Sequence, residues 1–437
     1  MDAAIDKTSP QKSQLIPMSI IGALFFIFGF VTWLNGSLIP FLEIVCELNQ
    51  MEAYLVTMAF YIAYTVMALP MSAILKRTGY KNGMMLGLII IAVGSLLFIP
   101  AAQSRNYGVF LFALFVMGSG LTILQTASNP YIVHLGPKES AAVRISIMGL
   151  LNKGAGIVAP ILFTALMLSG MDQFSEEKMA LLDSLAKEQA LSDLSNRLVE
   201  PYLYMAGVLM VLAAAIKFSP LPELELDDEG QVGDNRGILQ YPQLILGAIT
   251  LFLYVGVEVI AGDTIGVYGR QSGVSHFGML TSYTMAFMVL GYIIGTLTIP
   301  RFIKQETALL GSAVAGILFS AGIMFSAADS SSIADATIAL VGIPTIPNTV
   351  LFLALLGFAN ALVWPAVWPL ALDGLGKHTS TGAALLIMGI SGGAILPFIY
   401  GWLAESSGNS QLSYAILLPC YLFILYYAVK GHKLRSW

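Results

Sequence analysis

The stretch "NKGAGIVAPILF" at residues 152–163 has a counterpart in "ISGGAILPFIYG" at residues 390–401, and this repetition decides the fold. The two stretches match at a glycine and at a proline, with Pro160 aligned to Pro397. Each lies inside a long apolar segment. The same apolar pattern in both halves of the chain predicts two helical bundles of similar architecture.

The composition indicates that these bundles lie in a membrane. Of the 437 residues, 57% are hydrophobic and only 11% are charged. A soluble globular protein carries about 25% charged residues. Apolar segments of about 20 residues cross the ~30 Å hydrocarbon core as helices. Twelve such segments are predicted, at 17–46, 52–75, 83–102, 107–134, 144–169, 200–218, 242–269, 277–303, 307–328, 347–374, 380–405 and 411–430.

Two polar segments interrupt this pattern. Residues 170–199 form a predicted outside loop, in which the spacing of Met179, Leu182, Leu185 and Leu191 indicates a surface amphipathic helix. Residues 219–241 carry Pro, Gly and an acidic run near the middle of the chain, as linkers do. The predicted domains are an N-terminal six-helix bundle at 1–218, a cytoplasmic linker at 219–241 and a C-terminal six-helix bundle at 242–437.

The basic residues predict the orientation. Of the 21 lysines and arginines, fifteen lie on the side of the two termini, five lie on the opposite side, and Lys153 lies inside a span. Cytoplasmic segments of membrane proteins are enriched in Lys and Arg. Both termini are therefore expected in the cytoplasm.

Several other classes of protein are disfavoured. The two cysteines, Cys46 and Cys420, lie far apart within apolar segments, so a disulfide framework or a cysteine-based metal site is not expected. No HExxH motif or Ser/His/Asp set favours an intramembrane hydrolase. With a net charge of -5 and no basic patch, nucleic acid is not an expected partner.

Polar side chains within the spans are the candidate site. Charges at membrane depth usually face a cavity or a partner. Counted from the helix ends, Lys153 and Gln125 lie at a similar depth, close to the middle of the membrane. The candidate substrate-binding residues are Asn35, Gln125, Asn129, Asn152, Lys153, Asn360 and Trp364, and the candidate cation-coupling residues are Glu258, Asp263 and Lys153.

Each candidate also has a structural interpretation. The Lys153 stem can run along its helix so that the ammonium reaches the interface. Asp263 can mark the outer end of a helix. The amides can be interhelical hydrogen bonds worth about 1 kcal/mol or less each. Trp364 can belong to an interfacial aromatic belt.

At these residues the sequence resembles the fucose/glucose-galactose permease branch of the major facilitator superfamily. The resemblance covers nearly the whole chain. Its most specific motifs are "LNGSLIPFL" (34–42), "LQTASNPYIVHLGP" (124–137), "FLYVGVEV" (252–259), "GGAILPFIYGWLAE" (392–405) and "PCYLFILYYAVKGHK" (419–433).

The resemblance implies a monosaccharide importer, with a hexose as the expected substrate, that is driven by a proton or sodium gradient and works by alternating access. It also implies a monomer in the bacterial inner membrane, surrounded by lipid, with no organic cofactor. The fucose permeases carry an Asp and a Glu tied to proton coupling where this chain has Gly36 and Gln125. Relatives also have Gln and Ser at the positions of Gly149 and Lys153. Their proton mechanism therefore cannot be transferred unchanged.

These departures lead to a hypothesis about the charged residues. Lys153 is expected to bind sugar hydroxyls and to pair with a carboxylate, foremost Glu258. Asp263 aligns in the repeat with Gly36, so the acidic function can have moved to the second half. The coupling ion can be a proton on Glu258, or sodium held by the oxygens of Glu258 and Asp263.

Three alternatives to a symporter remain open at this point. One is a passive sugar facilitator, and another is a proton-driven exporter of a sugar or drug. The third, from a different class, is a membrane sugar sensor. The sensor is disfavoured because the long non-membrane segments have 30 residues or fewer.

Overall fold

The computed structural model describes residues 11–135, 141–167, 174, 176–179, 181–221, 235–299, 302–375 and 379–437. This part of the chain folds into helices and connecting turns, with no strand in it. Eleven of its helices are long and apolar enough to cross a membrane, and a further helix, Leu55–Thr78, has 24 residues. The predicted all-helical membrane fold is confirmed.

The first six crossing helices form the N-terminal half. Their bounds are α1 (Gln11–Trp33 and Asn35–Val45), α2 (Leu55–Thr78), α3 (Tyr80–Ser104), α4 (Tyr107–His134), α5 (Ala141–Met167) and α6 (Val199–Phe218). Helix α1 is interrupted by a turn at Leu34. Between α2 and α3 the chain turns at Gly79, whose φ of 77° lies in the left-handed region that glycine adopts most easily.

The other six helices form the C-terminal half. Their bounds are α7 (Pro242–Val259, Ile260–Thr264 and Ile265–Gln271), α8 (Leu280–Thr298), α9 (Gln305–Phe325), α10 (Asn348–Asn360 and Val363–Leu372), α11 (Thr379–Met388 and Gly392–Ser407) and α12 (Leu417–Val429). The middle segment of α7 is a π-helix. Such segments inside α-helices are rare and are frequently found at functional sites.

The predicted domain boundaries stay a prediction. Most of the linker, residues 222–234, lies outside the described residues, as do residues 170–173, 175 and 180 of the predicted outside loop. Asn235–Gln240 forms a short 3₁₀-helix before α7.

The predicted surface helix is present as Ser184–Asn196, but its buried face differs from the prediction. Leu182 and Leu185 are 42% and 79% exposed, whereas Leu191 and Leu194 are buried. The chain turns just before Ser184, so one helical period does not extend from Met179 to Leu191. Two of the four predicted positions, Met179 and Leu191, are buried, and the prediction for Leu182 and Leu185 is wrong.

Large apolar side chains remain exposed around the outside of the bundle. Phe112 on α4, Val211 on α6 and Leu318 on α9 are 57%, 69% and 62% exposed. Contiguous exposed apolar surface of this kind is unfavourable in water. This exposed apolar surface is therefore suited to contact with lipid.

The two halves are in close contact where α1 resumes after its turn. A Cβ at Gly36 would lie 2.1 Å from Thr281 Oγ1 and 2.6 Å from the carbonyl oxygen of Gly262. Position 36 therefore has no room for a side chain in this conformation. The glycine allows α1 to pack directly on α7 and α8.

Besides a hydrogen bond between Tyr54 and Tyr400, at least five hydrogen bonds or ion pairs between described residues join the halves. They are Ser37 Oγ to the Gly278 carbonyl, Thr57 to Asp263, Lys153 to Glu258, Ser282 Oγ to the Ile157 carbonyl, and Arg270 to Glu43. Given the direction of each helix, all five lie at the middle of the bundle or on the side away from the termini. The conformation is thus closed on that side.

Candidate functional site

The centre of the bundle holds an ion pair between the two halves. Lys153 Nζ on α5 lies 2.6 Å from Glu258 Oε1 on α7. Both residues are buried, with exposures of 9% and 7%. The sequence predicted this pairing, and the structure contains it. The alternative in which the Lys153 ammonium extends to the interface is wrong for this conformation.

Trp33 and Asn152 complete the surroundings of the ammonium. Lys153 Nζ lies 4.4 Å from the centre of the Trp33 ring, a cation–π geometry. The indole Nε1 donates to Asn152 Oδ1 at 3.5 Å, and Asn152 Nδ2 donates to the Phe25 carbonyl at 3.4 Å. Asn152 is therefore adjacent to the charge, in accord with its neighbouring position in the sequence.

Trp33 is absent from the predicted site residues. A signal was available, because residue 33 falls near the middle of the predicted span 17–46. Tryptophans of an interfacial belt lie near the ends of a span. A tryptophan at mid-depth, in the same helix as Asn35, indicates a role in the interior.

Asp263 lies in the π-helical segment of α7 and is fully buried. Its Oδ2 accepts a hydrogen bond from Thr57 Oγ1 on α2 at 3.1 Å, whereas its Oδ1 has no partner. Helix α7 continues to Gln271. The interpretation of Asp263 as a helix-end residue is therefore wrong.

The predicted sodium site gains no support from the geometry. Glu258 is engaged by Lys153, and Asp263 by Thr57. The described residues contain no cluster of three or more His, Cys, Asp or Glu side chains that could hold a metal ion.

The amides of the N-terminal half have other surroundings. Gln125 Nε2 donates to Tyr64 Oη at 2.8 Å, which links α4 to α2. Asn35 is buried, and its Nδ2 has no partner. Asn129 belongs to α4, but its side chain lies outside the described part of the structure. The contacts described for Gln125 therefore stay within its own half.

The C-terminal half contributes an amide and an aromatic cluster. Asn360 Oδ1 accepts from Tyr421 Oη at 2.8 Å, and the buried Asn360 Nδ2 has no partner. The Trp364 ring is 6.2 Å from that of Tyr254 and 5.6 Å from that of Trp368. Tyr254 precedes Glu258 by one helical turn. Trp364 is thus connected to the charged centre through Tyr254.

The structure therefore brings Lys153, Asn152 and Glu258 together and adds Trp33 to them. The residues that sequence reasoning missed are the hydroxyl and indole partners of the polar groups. They are Trp33, Thr57, Tyr64, Tyr254 and Tyr421.

Comparison with known proteins finds relatives that match nearly the whole chain. The Major Facilitator Superfamily pattern matches residues 21–397. A glucose/galactose transporter of Brucella abortus is 34% identical, over 98% of this chain and 97% of its own. The L-fucose-proton symporter of Escherichia coli is 26% identical, over 97% of this chain and 95% of its own.

Solved structures show the same architecture. The transporter FucP in its outward conformation superposes with a TM-score of 0.71 at 23% identity, covering 97% of this chain and all of its own. The xylose transporter XylE of E. coli, in a partially occluded inward open conformation, gives a TM-score of 0.63 at 13% identity, over 95% of this chain and 96% of its own. At these identities the similarity concerns the fold. Together with the family match, it establishes a multi-pass membrane protein whose named relatives are transporters. This chain belongs to the major facilitator superfamily.

Proposed function

We propose that the protein imports a monosaccharide, with a hexose as the expected substrate, coupled to the entry of a cation. The observation that carries the proposal is the buried Lys153–Glu258 pair, which lies between the halves against Trp33. The full-length similarity to a protein named glucose/galactose transporter supports the same substrate class.

The chemistry of this centre suits a sugar. An ammonium donates to hydroxyl oxygens, and the Asn152 amide both donates and accepts. The Trp33 ring offers an apolar face for the C–H side of a pyranose. Sugar hydroxyls can compete with Glu258 for the Lys153 ammonium, so sugar binding and the contact between the halves are linked.

The conformation supports alternating access. The contacts that close the side away from the termini all join one half to the other. Breaking them opens that side without unfolding either half. We further propose that both termini are cytoplasmic, that the membrane is a bacterial inner membrane and that the monomer is the functional unit.

Uptake into proteoliposomes tests the proposal. Radiolabelled glucose, galactose, mannose, fucose and N-acetylglucosamine are offered under an imposed proton gradient, under a sodium gradient or under neither. We expect accumulation of at least one of these sugars under a cation gradient. Counterflow without accumulation under any gradient would instead indicate a passive facilitator.

Variants connect the uptake to the site. Lys153→Ala and Glu258→Gln are each expected to lower gradient-driven uptake more than tenfold, about 1.4 kcal/mol or more. Lys217→Ala, which removes an exposed lysine at the end of α6, is the matched control and should leave uptake unchanged. Unchanged uptake in both site variants would overturn the assignment of the site.

A further inference from the structure

Of the three described carboxyl groups that are buried between the two halves, two form ion pairs and one does not. Lys153 has Glu258, and Arg270 Nη2 lies 2.8 Å from Glu43 Oε2. Within the described residues, Asp263 has no ion pair and has one hydrogen bond, to Thr57. It is also completely buried.

The environment of Asp263 does not suit a negative charge. An ionised carboxylate away from water is costly unless a cation or several donors compensate it. Here Oδ1 has no partner at all. The titratable groups that interact electrostatically with Asp263 are Tyr54, directly before α2, Tyr61 on α2 and Glu258 on α7, and they add no positive charge. The neutral carboxyl fits this environment. It keeps its hydrogen bond to Thr57 whether the carboxyl or the hydroxyl is the donor.

The neutral carboxyl also lies at the contact between the two halves, which has to separate during alternating access. Thr57 belongs to α2 of one half and Asp263 to α7 of the other, on the side that is closed here. When this side opens, Asp263 separates from Thr57 and water can reach it. Opening thus allows the carboxyl to exchange its proton with that compartment.

We propose that Asp263 carries the coupling proton and that its protonation permits the two halves to close against Thr57. This inference rests on the proposed function and names the coupling ion of that site. The proton bonds to a carboxylate oxygen of Asp263 from solvent on the open side, stays during closure and leaves to solvent on the terminal side. Lys153 and Glu258 remain a neutral pair and do not carry it.

The first test uses no sugar, so it is independent of the substrate. Spin labels are attached to Gln103→Cys and Ser406→Cys, which are exposed at the closed ends of α3 and α11, with Cys46 and Cys420 replaced by alanine. The distance distribution between the labels reports closure in nanodiscs. We expect the closed fraction to fall more than about twofold between about pH 5.5 and about pH 9.

Variants assign this pH dependence to one residue. Asp263→Asn, a permanent neutral mimic, should keep across the whole pH range the closed fraction that the parent has at low pH, whereas the control Asp329→Asn, at an exposed loop position, should behave like the parent. Thr57→Val should lower the closed fraction at low pH, and it provides the test if Asp263→Asn does not fold. A pH-independent parent, or the same pH response in Asp263→Asn, would overturn the inference.

A second readout uses transport. Asp263→Asn should retain counterflow of the transported sugar within about threefold and lose accumulation under a proton gradient more than tenfold. Accumulation by Asp263→Asn under a proton gradient contradicts the role of Asp263. Absence of counterflow in the parent contradicts the proposed function instead, while the spin-label result still decides the inference about Asp263.

Discussion

At the scale of single residues, Lys153 is stable in the membrane interior because its charge is compensated on two sides. Glu258 supplies the opposite charge, and the Trp33 ring covers the ammonium with its electron-rich face. Removing one member of a buried pair leaves an uncompensated charge, which typically costs about 3–5 kcal/mol, whereas replacing both members is often nearly neutral.

Stability therefore distinguishes single from double replacement. We expect Glu258→Gln to lower the melting temperature in detergent by several degrees because it leaves the ammonium unpaired. The double variant Lys153→Met/Glu258→Gln should recover most of this loss, and both are measured by thermal unfolding. A double variant no more stable than Glu258→Gln alone would show that the pair contributes nothing through its charge.

In the proposed function the Trp33 ring contacts the sugar, and this role can be tested separately from stability. Trp33→Leu keeps an apolar side chain but removes the ring face, so we expect KM for the sugar to rise about fivefold to thirtyfold, about 1–2 kcal/mol. Trp33→Phe, which retains a ring, should have a smaller effect. Initial uptake rates measure both, and equal KM values in Trp33→Leu and the parent would remove Trp33 from the sugar site.

From the sequence, the depth of a residue in the membrane could be predicted more reliably than the residues that its side chain contacts. Counting residues from the helix ends placed Lys153 in the interior, and its sign identified Glu258 as a partner. The same counting placed Gln125 at that level, yet its amide binds Tyr64 within its own half. Depth along a helix does not determine the direction in which a side chain points, and that direction depends on packing between helices.

At the scale of elements, the turn in α1 determines how the halves meet. The segment Asn35–Val45 follows the turn at Leu34 and carries Gly36, Ser37 and Glu43, which all contact the other half. The alignment with the permeases treated Gly36 as the loss of an acidic residue. The structure gives a steric reason for glycine that no pattern in one sequence could reveal.

A methyl group at this position tests the steric argument. In Gly36→Ala the Cβ would lie 2.1 Å from Thr281 Oγ1, so the segment has to move away from α8. We expect the closed state to be disfavoured and the maximal uptake rate to fall about threefold to thirtyfold, about 1–2 kcal/mol. The matched control is Gly311→Ala in α9, where no atom lies within 4 Å of the added Cβ. Equal uptake by the two variants would contradict tight packing at Gly36.

At the scale of elements, the positions of the membrane-crossing helices were largely predictable. An apolar segment of about twenty residues in a bilayer can satisfy its backbone hydrogen bonds only as a helix. The interruptions inside helices were not predictable. The π-helical segment Ile260–Thr264 places Asp263 opposite Thr57, yet no residue type in it marks the change of helical period in the sequence. The face predicted for the surface helix Ser184–Asn196 is only half right for a related reason, because a turn lies between Met179 and Ser184 and no pattern in the sequence marks it.

At the scale of the whole molecule, the contacts found between described residues of the two halves lie at the middle and at the end away from the termini. Arg270 and Glu43 form an ion pair across that end, with side-chain exposures of 25% and 9%. Because the pair is partly buried, salt screens it less than an exposed pair. We therefore expect it to contribute to closure at physiological salt.

A charge exchange tests this contribution. Arg270→Glu places a second carboxylate beside Glu43, and we expect the spin-label distances between Gln103→Cys and Ser406→Cys to shift towards the open state at a fixed pH. The exchange Glu43→Arg/Arg270→Glu restores opposite charges and should return part of the closed fraction. An unchanged distribution in Arg270→Glu would mean that this ion pair does not hold the end closed.

The neutrality of the Lys153–Glu258 pair has an electrical consequence. A group that moves between compartments without net charge is not driven by the membrane voltage, whereas one elementary charge gains about 2.3 kcal/mol per 100 mV. In the proposed cycle the loaded carrier, with a protonated Asp263 and an uncharged sugar, therefore moves no current. Voltage acts on the return of the empty carrier, whose bare carboxylate is driven outward by a negative interior.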